Sequence, residues 1–201
     1  MRRLSIEEAK QIELDILAFI DSFCKQHGID YFINYGTLIG AIRHKGFIPW
    51  DDDIDLSMTR ENYERFIQLF TQEQSKYKIL ALETDERYYN NFIKVVDSTT
   101  KIVDTRNTKT YDSGIFIDIF PMDSFNDTKV IDVCYKLESF KLLSFSKHKN
   151  IVYGDSKLKD LIRSFFWFLL RPISPRYFAT QIEQQIQKYR VKDGKYIAFI
   201  P

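Results

Sequence analysis

Long apolar runs are missing from this 201-residue chain. The longest, Phe165 to Leu170 (FFWFLL), is far shorter than the ~18 residues that a membrane-spanning helix needs. The N-terminus, MRRLSIEEAK, has two arginines with no apolar segment behind them, so it does not read as a secretory leader. Cysteine is scarce: Cys24 and Cys134 form no C-x-x-C pair and no Cys/His metal spacing. That argues against a disulfide framework or a zinc site and for two buried free thiols in a reducing compartment. Net charge is almost absent, +1 from 29 Lys and Arg against 28 Asp and Glu. A dedicated nucleic-acid coat is thereby disfavoured, although a local basic patch is not. Repeats, Gly/Ser linkers and low-complexity tracts are also lacking. Aromatics, by contrast, are plentiful, with 17 Phe and 12 Tyr, so the chain carries enough apolar mass for a core and is not globally disordered.

The front of the chain alternates helix and strand signals. Ser5-Ile6-Glu7-Glu8 is a capping-box pattern, and Ala9, Ile12, Ile16, Phe19, Ile20 and Phe23 follow at helical spacing up to Gly28. Ile29 to Tyr35 reads as a strand running into a Gly36-Thr37 turn, with Thr37 capping a short helix from Leu38 to His44. Pro49 marks a loop. Asp53 to Met58 alternates polar and apolar as a strand does, and Arg60 to Thr71 is an amphipathic helix. Tyr77 to Leu82, Phe92 to Val96 and Ile102-Val103 are further strand candidates, and Ile115 to Phe120 is a buried strand closed by Pro121. From about Thr128 to Arg190 the pattern is helical, broken near Pro172 and Pro175. The final YIAFIP reads as a strand cut short, so the chain is expected to be incomplete. The expected division is an α/β catalytic core at 1–125 and a helical portion at 126–201.

Four carboxylates in five positions, Asp51, Asp52, Asp53 and Asp55, repel one another unless a cation or solvent compensates. On a strand, Asp53 and Asp55 share a face about 7 Å apart while Ile54 and Leu56 enter the core. Asp51 is in phase if extended backbone begins there, and Asp52 faces away. Such a pair suits Mg²⁺ (or Mn²⁺), which takes one or two carboxylates plus water and phosphate oxygens. A calcium loop counted from Asp51 fails at position six, Leu56, and position twelve, Asn62. A third carboxylate is expected for a two-metal site, and Asp118 inside the apolar run IFIDIF is the candidate. A charge there is costly unless paired or metal-bound; the alternative for Asp118 is a loop cap or a buried arginine partner. Asp118 could also accept a proton from an attacking hydroxyl.

The combination of Gly36-Thr37, Asp53-Ile54-Asp55-Leu56 and Ile117-Asp118-Ile119 resembles the signature of the nucleotidyltransferase superfamily. The block YGTLIGAIRHKGFIPWDDDIDLSM, followed by RENYERF and later GIFIDIFPMD, resembles the LicD family more closely, with motif support from Ile6 to Asp123. That family holds phosphorylcholine transferases of bacterial surface glycans and fukutin-type relatives. The resemblance implies a nucleotidyltransferase-like mixed β-sheet flanked by helices. It also implies Mg²⁺ and transfer of phosphocholine, or a related alcohol phosphate, from a CDP-activated donor such as CDP-choline. The acceptor would be a glycan hydroxyl of a teichoic acid or lipopolysaccharide precursor, free or lipid-linked, and CMP would leave.

By match to the family motif, Asp53, Asp55 and Asp118 would be catalytic and hold metal, with Asp51 assisting. Gly36 and Thr37 would lie against the donor phosphates. Arg43 and Lys45 would balance pyrophosphate charge, a salt bridge to the acidic cluster being the alternative for Arg43. Lys94 is a weaker phosphate candidate. His44 reads as a surface residue, and Trp50 as core packing ahead of a base-stacking platform. No nucleic acid is expected as partner. The expected location is the cytoplasm, or the inner face of the cytoplasmic membrane if Lys157 to Arg176 is a surface helix resting on lipid instead of a core helix. Two other functions stay open: nucleotidyl transfer to a small molecule, and a truncated, inactive domain that binds a glycan or partner.

Overall fold

The computed structural model describes residues 2–105, 107–154 and 156–200. Its elements, in order, are α1 (Ile6–His27), β1 (Phe32–Ile33), α2 (Tyr35–Arg43), β2 (Asp55–Thr59), α3 (Arg60–Phe70), β3 (Tyr77–Leu80), β4 (Ile93–Asp97), β5 (Phe116–Phe125), α4 (Lys129–Phe145), α5 (Lys157–Leu170), α6 (Pro175–Tyr189), β6 (Arg190–Val191) and β7 (Tyr196–Phe199). The seven strands form one open mixed sheet in the order β1-β2-β5-β4-β3, with β6 and β7 joined to the far part of β5. Among the described residues only β2 and β5 run parallel. This is the expected α/β class, a mixed sheet flanked by helices.

Helix α1 starts where Ser5 and Glu8 cap each other reciprocally, and it ends at Gly28 in the left-handed conformation, φ 60°. Its Ile16, Ile20 and Phe23 pack with Phe66 and Phe70 of α3 over one face of the sheet, against Ile54, Leu56, Met58, Ile93, Val95, Ile117 and Ile119. The alternation expected around Ile54 and Leu56 therefore holds. Helices α4 and α6 form a second apolar cluster, in which Val130 and Cys134 of α4 meet Ile182 and Ile186 of α6 beside Phe125 of β5. Cys24 and Cys134 are both buried and free.

The strand ends depart from the sequence expectation in instructive ways. Strand β1 is only two residues long: the Asn34 amide still donates to the Asp55 carbonyl, but the Asn34 side chain already caps α2 by accepting from the Tyr35 amide. The short helix accordingly begins at Tyr35, and Asn34, not Thr37, is its cap. Strand β2 begins at Asp55, so Asp51, Asp52, Asp53 and Ile54 precede it in irregular chain. Ile102 makes a single bridge to Ser113 instead of a strand. Pro121 does not close β5, which runs on to Phe125. The Asp118 amide donates toward β2, so by period-two alternation position 121 faces the opposite edge. On that edge β4 ends its pairing at Ile119 and β7 begins at Met122, so a proline costs no ladder bond in the gap. The strand expected in the final residues is β7, paired with β5; Pro201 lies outside the described residues.

Arg60, at the start of α3, binds both carboxylate oxygens of Asp123 at 2.8 and 2.6 Å and reaches Glu183 of α6 at 3.3 Å. This nearly buried fork ties the end of β2, the far part of β5 and the helical portion together. Among the described residues no helix is long and apolar enough to cross a membrane.

Candidate active site

Register brings three of the candidates into one row. Asp55 of β2 is the parallel partner of Asp118 on β5, and Asp118 is the antiparallel partner of Lys94 on β4. Side chains opposite each other on neighbouring strands share a face. Lys94 Nζ donates to Asp118 Oδ1 at 2.6 Å, and the same ammonium sits 3.4 Å from the centre of the Phe116 ring. The buried cation beside Asp118 is thus a lysine where an arginine had been the alternative, and Lys94 belongs to the acidic site itself.

Burial and mutual repulsion shape the ionisation of this row. Desolvation, then the charges of Asp53, Asp118 and Asp51, push Asp55 up to about 7 against only Lys94. Burial raises Asp118 and lowers Lys94, while their ion pair opposes both shifts. Asp53 is also raised, first by desolvation, then by the charge of Asp51 and a hydrogen bond shared with it.

Helix α2 leans on the same place. Thr37 Oγ1 accepts from the Asp55 amide at 2.8 Å, fixing the start of β2 to the first turn of the helix. Asn34 Nδ2 donates to Ser57 Oγ at 2.7 Å further along β2. Tyr35 between them holds φ at 45°, the left-handed region that costs an L-residue roughly 1–2 kcal/mol. A Cβ on Gly36 would collide with the Asp51 carboxylate, so the glycine lets that carboxylate lie against the helix. Gly40 serves another end: a Cβ there would strike the backbone carbonyl of Gly46, so this glycine closes the loop that leads to Pro49.

Arg43 and Lys45 are exposed, and among the described residues neither forms an ion pair with the acidic cluster. The salt-bridge alternative for Arg43 is therefore not realised. Trp50 is 83% exposed, not core, and lies edge-on to His44 with ring centres 6.5 Å apart.

One carboxylate escaped the sequence reading. Glu13 of α1 is only 5% exposed, and its Oε2 has no hydrogen-bond partner among the described residues. Burial, then the charges of Asp53 and Asp52, push it up to about 8. The available signal was its position one residue after Ile12 and three before Ile16, on the core-facing stripe where a glutamate is out of place.

Among the described residues no three His, Cys, Asp or Glu side chains are drawn into a ready ligand cage. The donor chemistry nevertheless fits a hard divalent cation. Carboxylates on two adjacent strands and the loop before them crowd together with one lysine to offset them, and Asp55, raised first by burial and then by the charges of its neighbours, is a carboxylate whose ionised form a cation would favour. An open carboxylate set, completed by water and phosphate oxygens, is the form Mg²⁺ prefers.

Residues 28–162 match the family described as LicD/FKTN/FKRP, nucleotidyltransferase domain. The lipopolysaccharide cholinephosphotransferase LicD of Haemophilus influenzae is 33% identical over 206 aligned residues, covering 100% of this chain and 75% of that protein. An uncharacterized protein of Rickettsia prowazekii is 32% identical over 65% of the chain and 45% of its own length. Mannosyltransferase regulator 4 of Saccharomyces cerevisiae is 32% identical over 48% of the chain but only 8% of its own length.

Proposed function

Because this chain belongs to the LicD/FKTN/FKRP nucleotidyltransferase-domain family, we propose that it is a LicD-type transferase that passes phosphocholine to a lipopolysaccharide acceptor. The observation that carries this reading to specific residues is the in-register row of Asp55, Asp118 and Lys94, with Asp51 and Asp53 beside it. The donor we assign is CDP-choline and the cation Mg²⁺. Asp53, Asp55 and Asp118 would hold the cation and Asp51 would assist. When bound, it supplies charge neutralisation at the diphosphate.

In this reading the acceptor hydroxyl oxygen attacks the choline-bearing phosphorus, the bond from that phosphorus to the bridging oxygen breaks, and CMP departs with the electron pair. Asp118 takes the hydroxyl proton. Lys94 holds Asp118 in place and offsets charge in the row, so its part is positioning instead of direct phosphate binding. Thr37 keeps Asp55 at the mouth of α2. Gly36 leaves room for Asp51. Exposed Arg43 and Lys45 are free to meet the donor phosphates, and exposed Trp50 offers a face for the cytosine ring. Transfer of this kind depends mainly on positioning and electrostatics, which the row and the helix start supply.

The test is incubation with CDP-choline, MgCl₂ and a lipopolysaccharide acceptor. CMP release with choline appearing on the glycan supports the proposal. Pyrophosphate release from a nucleoside triphosphate instead would make the protein a nucleotidyltransferase, and no turnover with either donor would favour a binding role.

A further inference from the structure

Helix α5 has no buried residue along its whole length. One side of it contacts the body of the protein: Phe166 stacks on Phe140 of α4, Trp167 Nε1 donates to the Ser146 carbonyl at 2.9 Å, and Ser164 Oγ lies 2.9 Å from His148 Nε2. The other side is apolar and faces outward. Leu158, Leu161, Ile162, Phe165, Phe168 and Leu169 recur at three- and four-residue spacing, a single helical stripe. Leu158 and Leu161 are each 67% exposed, Phe165 59% and Phe168 76%. Tyr153, just before the helix, is 69% exposed. Isolated exposed hydrophobics are ordinary; a continuous stripe of six large ones is a contact surface.

Charge identifies what the stripe meets. From Lys147 to Arg176 the sequence holds seven Lys or Arg against two Asp, although the entire chain nets only +1. Lys157, Lys159 and Arg171 are exposed around the stripe. Asp160, the one acidic residue within α5, is taken up by the Tyr153 and Gly154 amides and by Arg163. An isologous dimer through this face would set two such basic rims against each other. A membrane-spanning role fails on length, because 14 residues reach about 21 Å against a hydrocarbon core of about 30 Å. An apolar stripe with a cationic rim is the form of a helix that lies in the plane of a bilayer interface.

We propose that α5 docks the protein on an anionic lipid bilayer, with Leu158, Leu161, Phe165 and Phe168 in the acyl boundary and Lys157, Lys159 and Arg171 among the headgroups. This rests on the α5 face alone and holds whatever the carboxylate row transfers. The test is co-sedimentation of the full chain with vesicles of phosphatidylglycerol and phosphatidylethanolamine, and separately with pure phosphatidylcholine vesicles. Binding should favour the anionic vesicles and weaken with salt. The triple variant L161S/F165S/F168S should bind them about tenfold or more weakly, and K157E/K159E should lose the preference for anionic lipid. Both variants should keep the wild-type melting temperature, because these side chains point away from the core. Three results would overturn the proposal: no binding to anionic vesicles, binding unaffected by the triple variant, or a wild-type dimer in solution that the triple variant dissociates.

Discussion

Replacing Lys94 by methionine isolates the electrostatics of the carboxylate row. The lysine and Asp118 side chains are only 8% and 13% exposed, and their charges lie 2.6 Å apart. Removing one partner of such a pair costs about 3–5 kcal/mol, because the other is left buried and uncompensated. A Coulomb estimate of about 6 kcal/mol at an effective dielectric of 20 is the same order before desolvation is subtracted. Methionine keeps much of the volume, so little of the loss comes from a cavity. For a chain of this size roughly 2–4 °C accompanies each kcal/mol, so the midpoint should fall on the order of 10 °C at pH 8 in EDTA.

The pH dependence gives the sign. Asp55 has an ordinary value of 3.8 and stands at about 7 in the folded protein. Between those values the folded state keeps a proton that the unfolded chain has released, so stability falls as pH rises through that window and levels off above it. Lys94 holds Asp55 down, so its loss deepens the decline. The difference between wild type and K94M should be full at pH 8 and shrink toward pH 5 as the carboxylates protonate. Saturating MgCl₂ at pH 8 should restore half of it or more. Scanning calorimetry of both proteins across pH, with and without Mg²⁺, measures all three quantities. A loss below about 1 kcal/mol at pH 8, or one that does not change with pH, would refute the coupling of Lys94 to the row.

Three further outcomes follow from the same geometry. The double variant D53N/D55N should fold, melt at or above the wild-type temperature without metal, and lose at least a hundredfold in CMP release; unaltered turnover would remove both residues from the site. Gly36→Ala should displace Asp51 without unfolding α2, because the clash is with the end of a side chain; turnover should drop about tenfold with a melting shift under ~3 °C, and unchanged turnover would make Asp51 dispensable. Glu13→Gln should leave stability near pH 4 unchanged and raise it above pH 8, where the wild type bears a buried charge that its shift to about 8 makes costly; equal stability of the two proteins at pH 9 would show that Glu13 ionises freely.

The sequence conveyed the carboxylate row more fully than it conveyed the edges of the elements. Asp118 stood out because a charge inside IFIDIF demands a partner, and Asp55 because its neighbours alternate in and out of the core. Those are side-chain patterns with a period, and the sheet preserves the period. The partner itself was not legible: Lys94 and Asp118 are 24 positions apart, and only the register of β4 on β5 makes them neighbours. Gly36 was legible as a place for a small residue; the approach of the Asp51 carboxylate to it was not, because that depends on a turn held by the Asp51 amide on the Ile48 carbonyl. Pro121 misled because a proline ends a strand only where its missing amide would have faced a partner. Trp50 misled in the other direction: its apolar surroundings FIPW suggested core, yet it is 83% exposed, because apolar composition alone does not say which side chains a fold buries.

The most direct test of the cation site is an anomalous difference map from a crystal grown with MnCl₂ and CDP-choline. A manganese peak is expected between Asp53, Asp55 and Asp118, with diphosphate oxygens completing its coordination. No peak there, or a peak bound only by solvent-facing Asp52, would contradict it.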